Sequence, residues 1–329
     1  MTTHTHAPTH LRIHQFAGFK PGPKLLVTAA VHGNEVCGVG AIQRVMAEID
    51  SGALSLLKGS VTFIPVVNVL AHQLGRREGD RNLNRNLRPP VVPQDFEDRL
   101  NTQLCPQLAA CDVLLDLHSF QGQGKPFAML GPRNNDGDLE PFAHDVAEGR
   151  LAACVGTDRI VEGWLSTYAL GLERRAAKQS DGSRAMSLQQ DPHYGVGTTE
   201  YKRSQRGYGI TLECGQHLDP NAPEFAYKAI LRVMVLLGLL EASVVEPRPA
   251  AKPELLQLYE VIDRNDAGDQ FEQAWASFDP VTKGQRIGTR ATGEAVLAPD
   301  DGRIVFPAAN AQAGTEWFYL ARASARELS

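Results

Sequence analysis

Short β-rich runs alternate with helical stretches through the first two-thirds of the 329-residue chain, and this alternation narrows the choice of fold more than any other feature. "KLLVTAAV" (24–31), "SVTFIPVVN" (60–68), "DVLLDLHS" (112–119) and "GYGITLECG" (207–215) read as strands. "VCGVGAIQRVMAEID" (36–50), "DFEDRLNTQLCPQLAA" (95–110, despite Pro106), "LEPFAHDVAEGRLAACV" (139–155) and a stretch from Pro223 to Ala242 read as helices. The pattern predicts an α/β domain around a mixed, largely parallel central sheet flanked by helices. Ligands bind such sheets at the carboxyl ends of the strands, and His32, Asn68, His118 and Glu213 all fall at or just past those ends.

The pattern changes after "EPRPAAKPE" (246–254), a proline-rich stretch without periodicity that reads as a linker. Beyond it, "WASFDPVTKGQRIGT", "GEAVLAPDDGRIVFPA" and "GTEWFYLARA" are short strands between Gly, Pro and Asp turns, as in a small β-barrel or sandwich. The expected division is a catalytic domain over 1–245, a linker over 246–253 and a small all-β domain over 254–329. Residues 1–14, with histidines at 4, 6, 10 and 14 among Thr and Pro, read as a poorly ordered tail.

A net charge of −5 gives no general pull toward nucleic acid or an anionic membrane. The longest apolar candidate, Ile230 to Leu240, is interrupted by Arg232 and too short to span a bilayer. "MTTHTHAPTHLRIH" lacks the basic and apolar regions of a secretory signal. Five cysteines, at 37, 105, 111, 154 and 214, fit reduced thiols better than a disulfide framework. Together these predict a soluble cytoplasmic protein.

The chemistry is concentrated in a few segments. In "TAAVHGNEVCG" (28–38), His32 and Glu35 stand three apart across Gly33. The turn is either a capped strand-to-helix connection or a pair of ligands for one ion. His118 in "LLDLHSF" is a candidate third ligand, with Asp116 on the same side of the strand to orient it. A close pair plus a distant third ligand leaves a zinc position open for water. Glu213 in "ITLECGQH" is the candidate base for that water. Arginines 76, 77, 81, 85 and 88 and asparagines 68, 82, 84 and 86 crowd one stretch, either as a solvated basic loop or as a site for an anionic substrate.

These blocks, in this order, resemble the succinylglutamate desuccinylase/aspartoacylase family, relatives of the zinc carboxypeptidases: "HGNE", Asn68 with Arg77 nine residues on, "NLNR", "DLHS", and "RS" ten residues before the glutamate of "LECG". The resemblance spans nearly the whole chain after the first twenty residues, and includes the small C-terminal β-domain. It implies a zinc-carboxypeptidase-like fold with one Zn2+ held by His32, Glu35 and His118, and Glu213 as general base and acid. It further implies that Arg77 polarises the scissile carbonyl, that Asn84 and Arg85 bind a substrate carboxylate, and that Arg203 binds an anion. The expected partner is a small anionic N-acyl amino acid, with self-association into a homo-oligomer left open. Asn82 stands where many members have Asp, and a glycine-rich loop, "FQGQGKPFAML", follows "DLHS". The alternatives are a carboxypeptidase-like peptidase and a carrier domain, the latter disfavoured because no lysine follows Lys283.

Overall fold

A computed structural model describes residues 8–178, 191–246 and 252–328. His4 and His6 of the tail and residues 247–251 of the linker lie outside them. His14, assigned from sequence to the tail, instead opens strand β1 (His14–Ala17), which pairs antiparallel with residues 60–63.

The chain continues through β2 (Lys24–Ala29), α1 (Cys37–Asp50), β3 (Ser60–Ile64), α2 (Val69–Gln73), α3 (Phe96–Ala110), β4 (Val113–Phe120), β5 (Phe127–Leu130) and α4 (Asp145–Cys154). It proceeds through β6 (Arg159–Glu162), α5 (Trp164–Lys178), α6 (Thr198–Ser204), β7 (Tyr208–Gln216) and α7 (Ala222–Leu236). The remaining strands are β8 (Glu254–Asp263), β9 (Gln270–Phe271), β10 (Pro280–Val281), β11 (Arg286–Thr289), β12 (Ala295–Leu297), β13 (Gly302–Val305) and β14 (Glu316–Ala323).

The sheet order β1-β3-β2-β4-β7-β5-β6-β8-β14-β13-β10 makes one 11-stranded mixed sheet, with β12-β11-β9 as a separate three-stranded antiparallel sheet. Strands β3, β2, β4 and β7 are mutually parallel and buried by helices, so they are apolar along nearly their whole length. On one face α1 and α7 pack Ala41, Ile42, Val45, Ile230 and Val233 against them. On the other, α3 supplies Leu100, Leu104 and Leu108 at helical spacing. Asp95 caps α3 by accepting the Asp98 N–H at 2.7 Å.

Two helices are shorter than their sequence patterns. The segment before α4 is taken up by a bridge between Asn135 and Phe142, so the helix begins at Asp145 rather than Leu139. Helix α7 stops at Leu236 because Gly238 takes φ 67° and the Leu239 N–H reaches back to the Met234 carbonyl at 2.8 Å, a glycine stop inside an apolar run. Strands β1, β5 and β6, four residues each, carry too little periodicity to be seen in the sequence.

The C-terminal strands do not form an isolated barrel: β8 pairs parallel with β6, and β14 pairs with β8, so they extend the main sheet. Among the described residues no helix is long and apolar enough to cross a membrane.

Candidate active site and metal-ligand cluster

Four strand ends build one cleft. Ala30 leaves β2 at φ 47°, a strained turn in which the Ala29 and Ala30 carbonyls accept Val67 and Asn68 N–H at 3.0 and 2.9 Å. A Cβ on Gly33 would stand 2.1 Å from the Ala71 carbonyl carbon, so only glycine lets the His32–Glu35 turn lie against α2. His118 and Glu213 are direct register partners across β4 and β7 and project from the same face.

The side chains of His32, Glu35 and His118 are all buried and offer ligand atoms within 4.8 Å of one another. Glu35 Oε1 is 2.9 Å from His32 Nδ1, and its Oε2 is 2.8 Å from His118 Nδ1. His32 Nδ1 nevertheless has no hydrogen-bond partner. The reason lies on the far side of the ring. Asn82 Oδ1 accepts the Asn84 backbone N–H at 2.9 Å, which fixes that atom as oxygen, and it faces His32 Nε2 at 3.2 Å. The proton therefore sits on Nε2, and Nδ1 turns a bare lone pair toward the carboxylate. Two acceptors facing each other across a buried gap form a cradle that a cation fits.

His118 is oriented in the same manner. Its Nε2 meets Asp116 Oδ2 at 2.9 Å, and Asp116 in turn accepts the hydroxyls of Thr28, at 2.6 Å, and Thr198. Burial pushes His32 down to about 4, so it is neutral. Burial works against charge on His118, but Asp116 and Glu35 outweigh it and carry the imidazole well above its ordinary value. Burial alone would raise Glu35, yet the two histidines hold it well below the usual carboxylate range.

Glu213 stands next to this group with Oε2 buried and unpartnered. Burial, reinforced by the Glu35 charge, pushes it up to about 8. A carboxyl poised there can both take and return a proton near neutral pH.

The arginine-rich stretch divides by role. Arg77 donates to Glu35 Oε1 at 2.8 Å with its side chain 46% exposed, at the mouth of the cluster. Arg81 is structural, bound to Asp95 and Asp98 at 2.8 Å each. Arg85 lies over the rings of Trp164 and Tyr168, at 5.0 and 4.7 Å, and donates to the Asn84 carbonyl at 2.8 Å. Asn84 Oδ1 accepts the Thr198 N–H at 2.9 Å. The loop is held by Glu97, fully buried on α3, which accepts N–H groups of Gly79, Asp80 and Arg81 and the side-chain amide of Asn68.

Arg203 is held by the protein's own carboxylates. Expected to bind a substrate anion, it is buried and its guanidinium is consumed by Glu148 at 3.0 Å, Glu140 at 2.6 Å, Glu200 at 3.3 Å and the Gly209 carbonyl at 3.1 Å. Three carboxylates already neutralise it, which leaves no free fork for a ligand.

His32, Glu35, Arg77, Asn84, Arg85, His118, Arg203 and Glu213 all line one cleft of about 830 Å³, within the range of small-molecule sites, with Arg203 held in its wall by the three carboxylates. Residues not singled out from the sequence complete it: Trp164 and Met129, the pair Ser119 and His217 (Oγ to Nδ1, 2.8 Å), and, from the C-terminal strands, Phe306, Glu316 and Tyr319. Glu97 was legible in principle, since 97, 101, 104 and 108 fall on one helical stripe that is otherwise core.

The fold and site define an α/β protein with a mixed, largely parallel sheet and a His–Glu–His group at the carboxyl rim of its parallel strands. Residues 21–130 match the family model of the succinylglutamate desuccinylase/aspartoacylase catalytic domain, so the resemblance carried by the motifs is borne out. No curated protein matches the sequence. In structure the chain is similar to a succinylglutamate desuccinylase/aspartoacylase from Rhodobacter sphaeroides, with TM-score 0.70 and 18% identity over 96% of this chain and 90% of that one. It is similar to the product-bound ectoine utilization protein EutE from Ruegeria pomeroyi, with TM-score 0.68 and 18% identity over 94% and 88%. A succinylglutamate desuccinylase from Vibrio parahaemolyticus gives TM-score 0.66 and 15% identity over 94% and 86%. At these identities the structural likeness establishes the fold.

Proposed function

We propose that the chain is a zinc-dependent amidohydrolase that removes the acyl group from a small anionic N-acyl amino acid in the cytoplasm, with one Zn2+ per chain. The observation that carries the reading is the bare Nδ1 of His32 facing Glu35 and His118, with the unpartnered Glu213 carboxyl beside them. His32 Nδ1, a Glu35 oxygen and His118 Nδ1 would hold the ion. Bound there, zinc would polarise the scissile carbonyl and lower the pKa of water.

The chain's own groups do the rest. Glu213 Oε2 takes the proton from water as it adds to the amide carbon, and hands it to the leaving nitrogen. Burial, which raises its pKa, suits the carboxyl to take and return a proton. Arg77, at the mouth, offers charge to the amide oxygen as it becomes an oxyanion. Asn84 and Arg85 read the substrate carboxylate, with Arg85 held in place by stacking on Trp164 and Tyr168.

Similar structures named for desuccinylase, aspartoacylase and ectoine utilization support a small acylated amino acid as substrate. A peptidase needs an open groove. Here residues 254–329, which we treat as a second domain, supply Phe306, Glu316 and Tyr319 to the cleft wall and leave less room for a polypeptide.

The test is amine release from a panel of N-acetyl, N-succinyl and N-formyl amino acids, with elemental analysis of the purified protein. Turnover of at least one acid, with His118→Ala losing most of the zinc, is expected. Cleavage of peptides in preference to acyl amino acids, or full zinc occupancy in His118→Ala, overturns the reading.

A further inference from the structure

One polar pair in the cleft has no part in the deacylase reading. His217 closes the motif "LECGQH" and, with Ser119, lines the cleft. Between the register pairs His118–Glu213 and Phe120–Gln216, β7 has three residues where β4 has two, and Gly215 at φ 128° takes up the extra one. Such a bulge re-aims the side chains beside it. Here it brings His217 back over the end of β4. The His217 backbone N–H donates to the Phe120 carbonyl at 2.9 Å, and its Nδ1 meets Ser119 Oγ at 2.8 Å.

This clasp uses one ring nitrogen only. Among the described residues Nε2 has no hydrogen-bond partner and the imidazole has no ion pair. Burial lowers the His217 pKa against the pull of Glu35, and Arg77 lowers it further, so the ring is neutral. A neutral imidazole fixed at Nδ1 presents one directed nitrogen, a donor or an acceptor according to which way the Ser119 hydroxyl points.

The electrostatic neighbours of His217 are Glu35 and Arg77, whereas those of Arg85 are Tyr168, Glu316 and Tyr319. The two residues therefore belong to different parts of the cleft, His217 beside the His–Glu–His group and Arg85 beside Trp164. An N-acyl amino acid with its carboxylate at Arg85 and its amide at Glu213 has its acyl group left to place, and Ser119, Phe120 and His217 wall that side.

We propose that His217 determines acyl specificity, its Nε2 hydrogen-bonding a polar group at the far end of a short acyl chain while Ser119 fixes the ring. The inference rests on the deacylase reading and adds to it the class of acyl group, one ending in a hydroxyl, amide or carboxyl. A plain alkyl end would strip water from Nε2 and give no hydrogen bond in return.

Titration calorimetry on the purified full-length protein tests this without relying on turnover. The probes are butanoate, 4-hydroxybutanoate and succinamate, acids of equal carbon-chain length of which the last two have uncharged polar ends. The wild type should bind those two about fivefold or more tightly than butanoate. His217→Asn keeps an amide near the place of Nδ1 and nothing at Nε2, so it should melt with the wild type and bind all three acids alike. His217→Gln reaches the place of Nε2 and should keep a preference of about twofold or more.

A wild type without the preference, a His217→Asn variant that retains it in full, or an equal loss for all three acids overturns the proposal. The last would make the pair a structural clasp. If the wild type releases amine from no N-acyl amino acid, the deacylase reading falls, whereas a polar-end preference lost in His217→Asn would still assign His217 to ligand reading.

Discussion

Asn82 Oδ1 sits 3.2 Å from His32 Nε2, so a neutral amide does the orienting that a carboxylate, Asp116, does for His118 at 2.9 Å. The two imidazoles of the cluster are thus backed unequally. A carboxylate partner makes a ligand histidine more basic, and losing such partners typically costs metal sites 10–100-fold in affinity.

Asn82→Asp should therefore tighten zinc by about tenfold, and Asn82→Leu should weaken it by about tenfold or more. Competition against a chromophoric chelator measures both. Identical affinities in all three proteins would mean that Asn82 only shapes the loop.

Zinc uptake should release protons. His118 is carried well above its ordinary value and enters as an imidazolium, while His32, pushed down to about 4, contributes nothing. Glu213, at about 8, can give up a second proton to the incoming charge. Calorimetry at pH 7 in buffers of different ionisation enthalpy should count roughly one to two protons per ion. Affinity should rise with pH through this range, and Asp116→Asn should release fewer protons.

Glu213→Gln should retain zinc and lose about two orders of magnitude or more in kcat. It should also change the metal-free protein. A carboxyl whose folded value of about 8 exceeds its ordinary 4.5 supports the fold fully below 4.5, and that support is lost as pH rises to 8. Glutamine does not titrate, so the variant should gain on the wild type between pH 5 and 8 by at most about 1.4 kcal/mol per pH unit. Urea denaturation with chelator present reads the difference, and a variant that fails to gain on the wild type as pH rises from 5 to 8 would contradict the assignment.

Arg203→Gln should act on stability rather than on substrate. It strands Glu148, Glu140 and Glu200 with no cation, which costs about 3–5 kcal/mol for a buried charge partner. Any KM increase should be equal for an acid substrate and its amide. A loss confined to the acid would restore Arg203 as an anion-binding residue.

Spacing made the His–Glu–His group legible because a turn and a strand end are local events: His32, Glu35 and His118 each sit on an element that announces itself. Arg203 shows where spacing stops informing. Its position ten residues before Glu213 is correct for the motif, but its partners come from residues 140, 148 and 200, and no pattern around it signals their convergence. Asn82 was visible only as a missing charge, because its task depends on which atom of a histidine it meets. The placement of β8 and β14 in the main sheet was hidden for the same reason, since strand pairing across a hundred residues leaves no local mark.

The pairing of β6 with β8 has a cost for anyone who would shorten this protein. Cutting the chain before residue 254 would bare β6, Arg159 to Glu162, as a new outer edge with a row of unmatched backbone donors and acceptors. Such an edge invites pairing with another copy. Residues 1–245 alone are therefore expected to associate through that edge, and the two stretches of sequence, although distinct in pattern, are expected to depend on each other for stability.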